Sequence, residues 1–222
     1  MSEESLLIKI AIIGGTGKEG SGLARRWAAN GYHVIIGSRD RDRAVETASA
    51  INDELGADVV VGGLNEDAAY AGDIVVLSVP YSAHRSTLES IGQAVQGKIV
   101  VDVTVPTPFP QAVHIPAGLS AAQEAQAYLG EGVRVVSAFQ NVSAGKLKNV
   151  DELMDTDVLV CGDDDSAKDE IIALVRAAGM RGLDAGPLAN SVASEALTAV
   201  LYHINRKYKS KSAGIRITGV NV

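Results

Sequence analysis

Three glycines that close an apolar run near the start of the chain restrict its fold more than any other feature. Residues 10–20 read Ile-Ala-Ile-Ile-Gly-Gly-Thr-Gly-Lys-Glu-Gly, so Gly15, Gly17 and Gly20 fit G-x-G-x-x-G directly after the strand-like stretch Leu6–Ile13. In that pattern the first glycine allows a tight turn and the second lets backbone approach a pyrophosphate. The third lets helix and strand pack closely. With 23 glycines in 222 residues, a glycine-rich structural turn is the competing reading. The flanks favour a dinucleotide site, because Gly31 closes a helical stretch from Lys18 to Ala29 and Tyr32–Ile36 starts the next strand. Phosphates would sit on the amides at that helix start, around Lys18 and Glu19, where the helix dipole favours negative charge.

The end of the second strand selects the dinucleotide. An NAD site usually carries Asp or Glu there, to hold the ribose 2′-hydroxyl. This chain has Gly37-Ser38-Arg39 instead, with Arg41 and Arg43 close behind. A hydroxyl and a cationic fork suit a 2′-phosphate, since the guanidinium binds phosphate oxygens in pairs and can stack on adenine. The alternative is a solvated helix turn in which these arginines pair with Asp40, Asp42 and Glu46. Asp40 and Asp42 fall too late to replace the missing strand-end acid, so NADP is the expected dinucleotide.

Short apolar runs alternate with helical patterns along the remaining chain. Strands are expected near residues 7–13, 33–37, 58–62, 73–79, 98–103, 133–138, 157–162 and 181–185. Helices are expected near 18–29, 40–54, 84–95, 119–129, 166–178 and 188–205. Continuously apolar strands such as Ile74–Val79 and Ile99–Val103 belong in a parallel sheet covered on both faces. The class is therefore α/β, a doubly wound Rossmann-type parallel sheet with a small C-terminal α/β extension. The polar stretch Lys146–Asp155 is the best boundary, giving a dinucleotide-binding domain over 1–145 and a smaller unit over 146–222. The β–α pattern resumes after it, so the last segment could equally extend the same sheet. A formal charge of −7 argues against nucleic acid as a partner. The polar, acidic Met1–Ser5 does not read as a secretory signal, and no apolar stretch reaches membrane-spanning length. Cys161, the single cysteine, reads as a small buried hydrophobe rather than a reactive thiol, consistent with a reducing cytoplasm.

In such sheets a ligand lies outside the carboxyl ends of the strands. The segments placed there are Val79–His84, Val103–Pro108 and Ala138–Val142. His84 is a candidate general acid, with a surface or capping residue as the competing reading; Tyr81 is a pocket wall before it is a proton donor. No Tyr-x-x-x-Lys occurs, no His–Asp pair sits where a 2-hydroxy-acid dehydrogenase needs one, and no cluster has metal-ligand spacing. Lys146 could correspond to the catalytic Lys of β-hydroxyacid dehydrogenases, but the 76 residues after it are too few for their helical domain. A dehydrogenase without a proton shuttle suggests hydride passing between two rings held in contact. Arg206, Lys207, Lys209, Lys211 and Arg216 form a basic stretch with no acid after Glu195, which suggests a polyanionic small molecule or simply a solvated tail.

The chain resembles, over nearly its whole length, the NADP-dependent oxidoreductases of the deazaflavin coenzyme F420. The resemblance rests on Ile13-Gly14-Gly15-Thr16-Gly17 with Gly20, on Ile36-Gly37-Ser38-Arg39, and on Val160-Cys161-Gly162-Asp163-Asp164. It rests also on Leu183-Asp184-Ala185-Gly186-Pro187-Leu188-Ala189-Asn190-Ser191 with Glu195-Ala196-Leu197-Thr198, and on the ending Ile204–Tyr208 and Ala213–Thr218. It implies hydride exchange between NADPH and the deazaflavin C5 with the two rings stacked in the crevice. Thr16, Ser38, Arg39 and Arg43 would hold the 2′-phosphate. Val79, Pro80, Tyr81, His84 and Ala138 would line the ring pocket, with Asn190 and Ser191 facing it, and a homodimer would form through the C-terminal segment. Family members tend to carry His where this chain has Gln140, which can hydrogen-bond but cannot carry a proton or a charge. That difference keeps two other readings open: an NADPH-dependent reductase of an imine, keto acid or ferric chelate, and a non-catalytic NADP sensor.

Overall fold

A computed structural model describes residues 8–106 and 118–220. The alternation expected from sequence is present: β1 (Lys9–Ile13), α1 (Lys18–Ala29), β2 (His33–Ser38), α2 (Arg41–Leu55), β3 (Val60–Leu64), α3 (Asn65–Ala71), β4 (Ile74–Leu77) and α4 (Tyr81–Ile91). There follow β5 (Ile99–Asp102), α5 (Ala121–Leu129), β6 (Arg134–Ser137), β7 (Asp157–Gly162), α6 (Asp165–Ala177), β8 (Arg181–Asp184) and α7 (Ser191–Lys207), the last entered through a 3-10 turn over Leu188–Asn190. The strands form one sheet in the order β3-β2-β1-β4-β5-β6-β7-β8. Along β1, Ile10 and Ile12 enter one core layer with Leu23, Trp27 and Ile36, whereas Ala11 and Ile13 enter the other with Leu77, Leu88 and Ile91. Both faces are covered, which is why the strands read as unbroken apolar runs.

Three expectations are corrected. The sheet is not wholly parallel: β7 runs antiparallel to β6, with Val136 opposite Gly162 and Ser137 opposite Cys161, and β8 is parallel to β7. Helix α3 was not expected, because its seven residues are too few to show a helical period. Helix α4 starts at Tyr81 rather than residue 84, with Pro80 as its N-cap at φ −58°, and gives way at Gly92 to turns instead of running to residue 95. Proline at a helix start is favourable because its ring presets the backbone angle and no intrahelical N–H is lost. Thr107 and Pro108, expected at the crevice, lie outside the described residues, as do Met1–Leu7. Among the described residues no helix is long and apolar enough to cross a membrane. Cys161 is buried at 1 % exposure, and burial pushes its thiol up to about 11.

The later strands are tied to the first helix by two side chains of α1. Arg26 is 2 % exposed, and burial lowers its pKa, partly offset by the nearby Glu152 carboxylate. It donates to the carbonyls of Leu147, Ala178, Asn149 and Glu152 at 3.1, 2.8, 2.6 and 2.9 Å. Trp27 donates its indole N–H to Leu174 O at 2.9 Å and meets Phe139 edge-on. Gly22 makes room for Leu147 against α1, since a Cβ there would come within 2.5 Å of Leu147 Cβ. Removing the guanidinium strands several buried carbonyls, at about 1–3 kcal/mol for each group left unsatisfied. We therefore expect Arg26→Met to lower stability by roughly 3 kcal/mol and Tm by about 6–12 °C. Thermal unfolding followed by the fluorescence of the single tryptophan checks this; an unchanged Tm would remove the clamp from the account of the fold.

Candidate functional site

The glycine turn is built by backbone proximity. Gly14, not Gly15, takes the left-handed conformation at φ +74°, and a Cβ on it would lie 2.5 Å from Ser78 O. Its N–H donates to Asn65 Oδ1 at 3.3 Å, so α3 braces the turn. Gly15 N–H is shared between Ile12 O at 3.1 Å and Gly37 O at 2.9 Å, and a Cβ on Gly20 would lie 2.8 Å from Gly15 Cα. Gly17 is the N-cap of α1, leaving the amides of Lys18, Glu19 and Gly20 without intrahelical acceptors and directed at an anion site. Glu19 would oppose an anion there if ionised. Burial pushes its carboxyl up to about 8, which weakens that opposition although the side chain keeps partial exposure.

At the end of β2, Ser38 is 8 % exposed and its hydroxyl accepts the Asp40 N–H at 3.1 Å. Asp40 caps α2, its carboxylate accepting the Arg43 N–H at 3.2 Å. Arg39, Arg41 and Arg43 are exposed, and none forms an ion pair among the described residues. The turn is solvated, but the ion pairs to Asp40, Asp42 and Glu46 weighed in the sequence are absent among the described residues. These guanidinium groups stand free beside a buried hydroxyl, with Thr16 half-buried on the neighbouring turn.

The carboxyl ends of β4, β5 and β6 form the adjoining crevice floor. Val79 is half-buried, Pro80 exposed and Ala138 buried. The Tyr81 hydroxyl donates to the Glu124 carboxylate at 3.0 Å; burial, then that hydrogen bond and charge, push the phenol up to about 12. His84 is neither surface nor cap. It is 2 % exposed and its Nε2 lies 2.7 Å from Asp102 Oδ2, at 0 % exposure, so a His–Asp pair exists that the sequence spacing did not reveal. Asp102 Oδ1 accepts the Thr104 N–H at 2.8 Å, and Gln140 Nε2 donates to Asp102 O at 2.7 Å and to Ser137 Oγ at 2.9 Å. Phe139 adopts φ +74°, a conformation that costs about 1–3 kcal/mol for a side chain of this kind and turns Gln140 and Asn141 away from the strand direction.

Helix α7 closes the crevice from the other side. Asn190 is exposed, its amide donating to Ala185 O at 2.7 Å. Ser191 is fully buried, its hydroxyl 2.6 Å from Ser120 Oγ, so it fastens α7 to α5 instead of facing a pocket. Glu195, one turn on, accepts the N–H groups of Ala121 and Ala122 at 3.0 and 3.3 Å, and burial pushes its carboxyl up to about 7. Because β7 runs backwards, its first residue Asp157 also lies on this side, where Asn141 Nδ2 donates to its carbonyl at 2.7 Å. Arg216, counted in the basic stretch, is engaged there with Asp155 and Asp157. Arg206, Lys207, Lys209 and Lys211 remain exposed. Lys146 is paired with Glu152.

Sequence reasoning missed Asp102, Glu124 and Glu195. Asp102 left one signal, an acid directly after the apolar run Ile99–Val101 and therefore at a strand end. Glu124 and Glu195 look like ordinary exposed helix residues until α5 and α7 pack together.

Comparison with known proteins identifies the family. The family model described as NADP oxidoreductase, coenzyme F420-dependent, matches residues 9–106. An F420-dependent NADP reductase of Methanocaldococcus jannaschii is 43 % identical over 225 residues, covering 97 % of this chain and 100 % of that protein. Its counterpart in Methanothermobacter thermautotrophicus is 40 % identical, with 97 % of each chain covered. A crystal structure from Arthrobacter sp. FB24, assigned as a candidate F420-dependent NADP reductase, superposes with a TM-score of 0.81 at 24 % identity over 95 % of this chain and 99 % of that one, and so supports the fold. On the near-full-length identity to the two archaeal proteins, the chain belongs to the family of F420-dependent NADP reductases.

Proposed function

We propose that this chain transfers a hydride between NADP(H) and the deazaflavin coenzyme F420. The observation that carries the NADP half is the free Arg39 and Arg43 beside buried Ser38, where an NAD site would present an acid. The deazaflavin half follows from the reductases that match along the whole chain, and these favour it over an imine, keto-acid or ferric reductase and over a sensor. The pyrophosphate rests on the amides of Lys18, Glu19 and Gly20, close to the Gly15–Gly17 turn. Thr16, Ser38, Arg39 and Arg43 take the 2′-phosphate. Val79, Pro80, Ala138 and Asn190 bound the space for the two rings, with Tyr81 and Gln140 held by their own hydrogen bonds as fixed walls.

The chemistry belongs to the two rings, and the protein supplies contact and orientation, which can be worth roughly 7–11 kcal/mol. Residues 146–222 serve the deazaflavin and dimerisation, on this reading. Exposed Leu153, Val200, Tyr208 and Ile217 give that end of the chain apolar surface suited to a second copy, and a reducing cytoplasm suits the lone buried thiol. The exposed lysines after α7 offer an anchor for the phosphate and glutamate tail of the deazaflavin.

Three measurements test this reading. Mixing the protein with oxidised coenzyme F420 and NADPH should bleach the deazaflavin absorbance, and NADH should scarcely do so; no bleaching with NADPH, despite measurable binding, refutes the assignment. Arg39→Ala and Arg43→Ala should each raise the NADPH KM by about 10–100-fold, the worth of a charge-assisted hydrogen bond, while leaving weak NADH turnover alone. Replacing Lys207, Lys209 and Lys211 together by Ser should raise the deazaflavin KM, most at low salt, with the NADPH KM unchanged. An unaltered deazaflavin KM would sink the anchoring role.

A further inference from the structure

The buried titratable groups at the crevice floor form one connected set, which ring-to-ring hydride transfer by itself does not use. His84 and Asp102 are 2.7 Å apart at 2 % and 0 % exposure, and Asp102 has its second oxygen on the Thr104 N–H. A carboxylate so deep is stable when a cation faces it, and among the described residues His84 is the basic side chain paired with it. The groups facing His84 are Tyr81 and Arg85 from its own helix, Asp102 from β5, Glu124 from α5 and Glu195 from α7. Arg85 is exposed and turned to Glu89 at 2.9 Å, so the surroundings of the imidazole are dominated by carboxyl groups. Burial alone draws the His84 pKa down, but the hydrogen bond and charge of Asp102, with Glu124 and Glu195 behind it, outweigh burial and leave it raised. Access from outside exists as well: His84 lines a groove between α4 and α5 with Leu119, Glu124 and Tyr128.

Resting on the reaction proposed above, the proton balance is incomplete without such a group. NADPH leaves as NADP+ after giving up a hydride to the deazaflavin C5, and the reduced ring must also gain one proton on a ring nitrogen. We propose that the His84–Asp102 pair is the proton store for this reaction, giving up one proton as the deazaflavin is reduced and taking one back when it is oxidised. In the forward direction an N–H bond of the His84 imidazolium breaks and an N–H bond forms on the deazaflavin ring, the proton passing along hydroxyl or water in the crevice. His84 is left neutral beside Asp102 and is recharged by a solvent proton through the α4–α5 groove. His84 acts here as a positioning and proton-supplying residue behind the reacting rings, and Asp102 sets its affinity for the proton.

The sign of the pH dependence follows. A donor with a raised pKa is charged below that value and lost above it, so deazaflavin reduction by NADPH slows as pH rises through the His84 midpoint. Oxidation of the reduced deazaflavin by NADP+ needs the neutral imidazole and speeds up over the same range. The test combines a ligand-free measurement with kinetics. A histidine-labelled sample titrated by NMR should show one ring, missing in His84→Asn, with a midpoint above that of a free histidine, and Asp102→Asn should lower it. His84→Asn, which removes the titrating ring while keeping a polar side chain, should lower kcat for deazaflavin reduction about 100-fold with both KM values little changed. It should also flatten the pH profiles of both directions. Wild-type kcat with an unaltered pH profile in His84→Asn overturns the proposal, as does a His84 ring that shows no titration between pH 5 and 9. Should His84→Asn fail to fold by tryptophan fluorescence, the NMR midpoint of the wild type must coincide with the inflection of its kinetic profile, and a mismatch overturns it equally. Absence of any bleaching by the wild type would instead count against the deazaflavin reading, independently of the titration.

Discussion

The Arg26 guanidinium, buried without a direct carboxylate partner and satisfied by main-chain carbonyls, is the interaction on which the relation between the two ends of the chain depends. It sits on α1, whose first turn carries the free amides proposed to bind the pyrophosphate. Its acceptors come from residues 147–152 and from the end of α6, so the nucleotide turn and the later strands are held in one frame. A planar fork with five N–H donors suits this task, because each donor needs an acceptor and loop carbonyls at such a crossing need donors. Trp27, next in sequence, adds an apolar contact with Phe139 on the same side.

The crevice shows how charge is managed where a polyanionic ligand must bind close to carboxylates. Arg39, Arg41 and Arg43 stand free at the strand end proposed to meet the 2′-phosphate, and Asp40 spends its charge on capping α2. Burial raises the pKa of the Glu19 carboxyl at the glycine turn and of the Glu195 carboxyl between α5 and α7. Asp102 is the exception, a deep carboxyl group matched by His84 and the Thr104 amide. The same low dielectric that makes a lone buried charge costly ties the proton affinity of His84 to the group beside it.

How much was legible in advance varied with the range of the interaction. The glycine turn, the strand-end Ser38-Arg39 and the continuously apolar strands were readable because turn chemistry and two-sided burial act over a few residues. Helix α3 escaped because seven residues carry too little periodicity, and α4 began earlier than expected because Pro80 works as a cap rather than as part of a strand-end loop. The reversal of β7 had no local signal, since an apolar run looks the same in either direction.

The amino-acid sequence by itself determined the class of fold, the NADP-type turn and the exposed arginines, all of which follow from short-range backbone and side-chain preferences. Only the tertiary structure decided which polar residues meet. His84 and Asp102 are 18 residues apart, Ala121 and Glu195 are 74 apart, and Arg26 reaches Ala178 over 152. Such pairs form when sheet order and helix packing bring distant segments to the same end of the sheet, and burial then sets their charge. That geometry is a property of the whole packed chain, and no window of the sequence contains it.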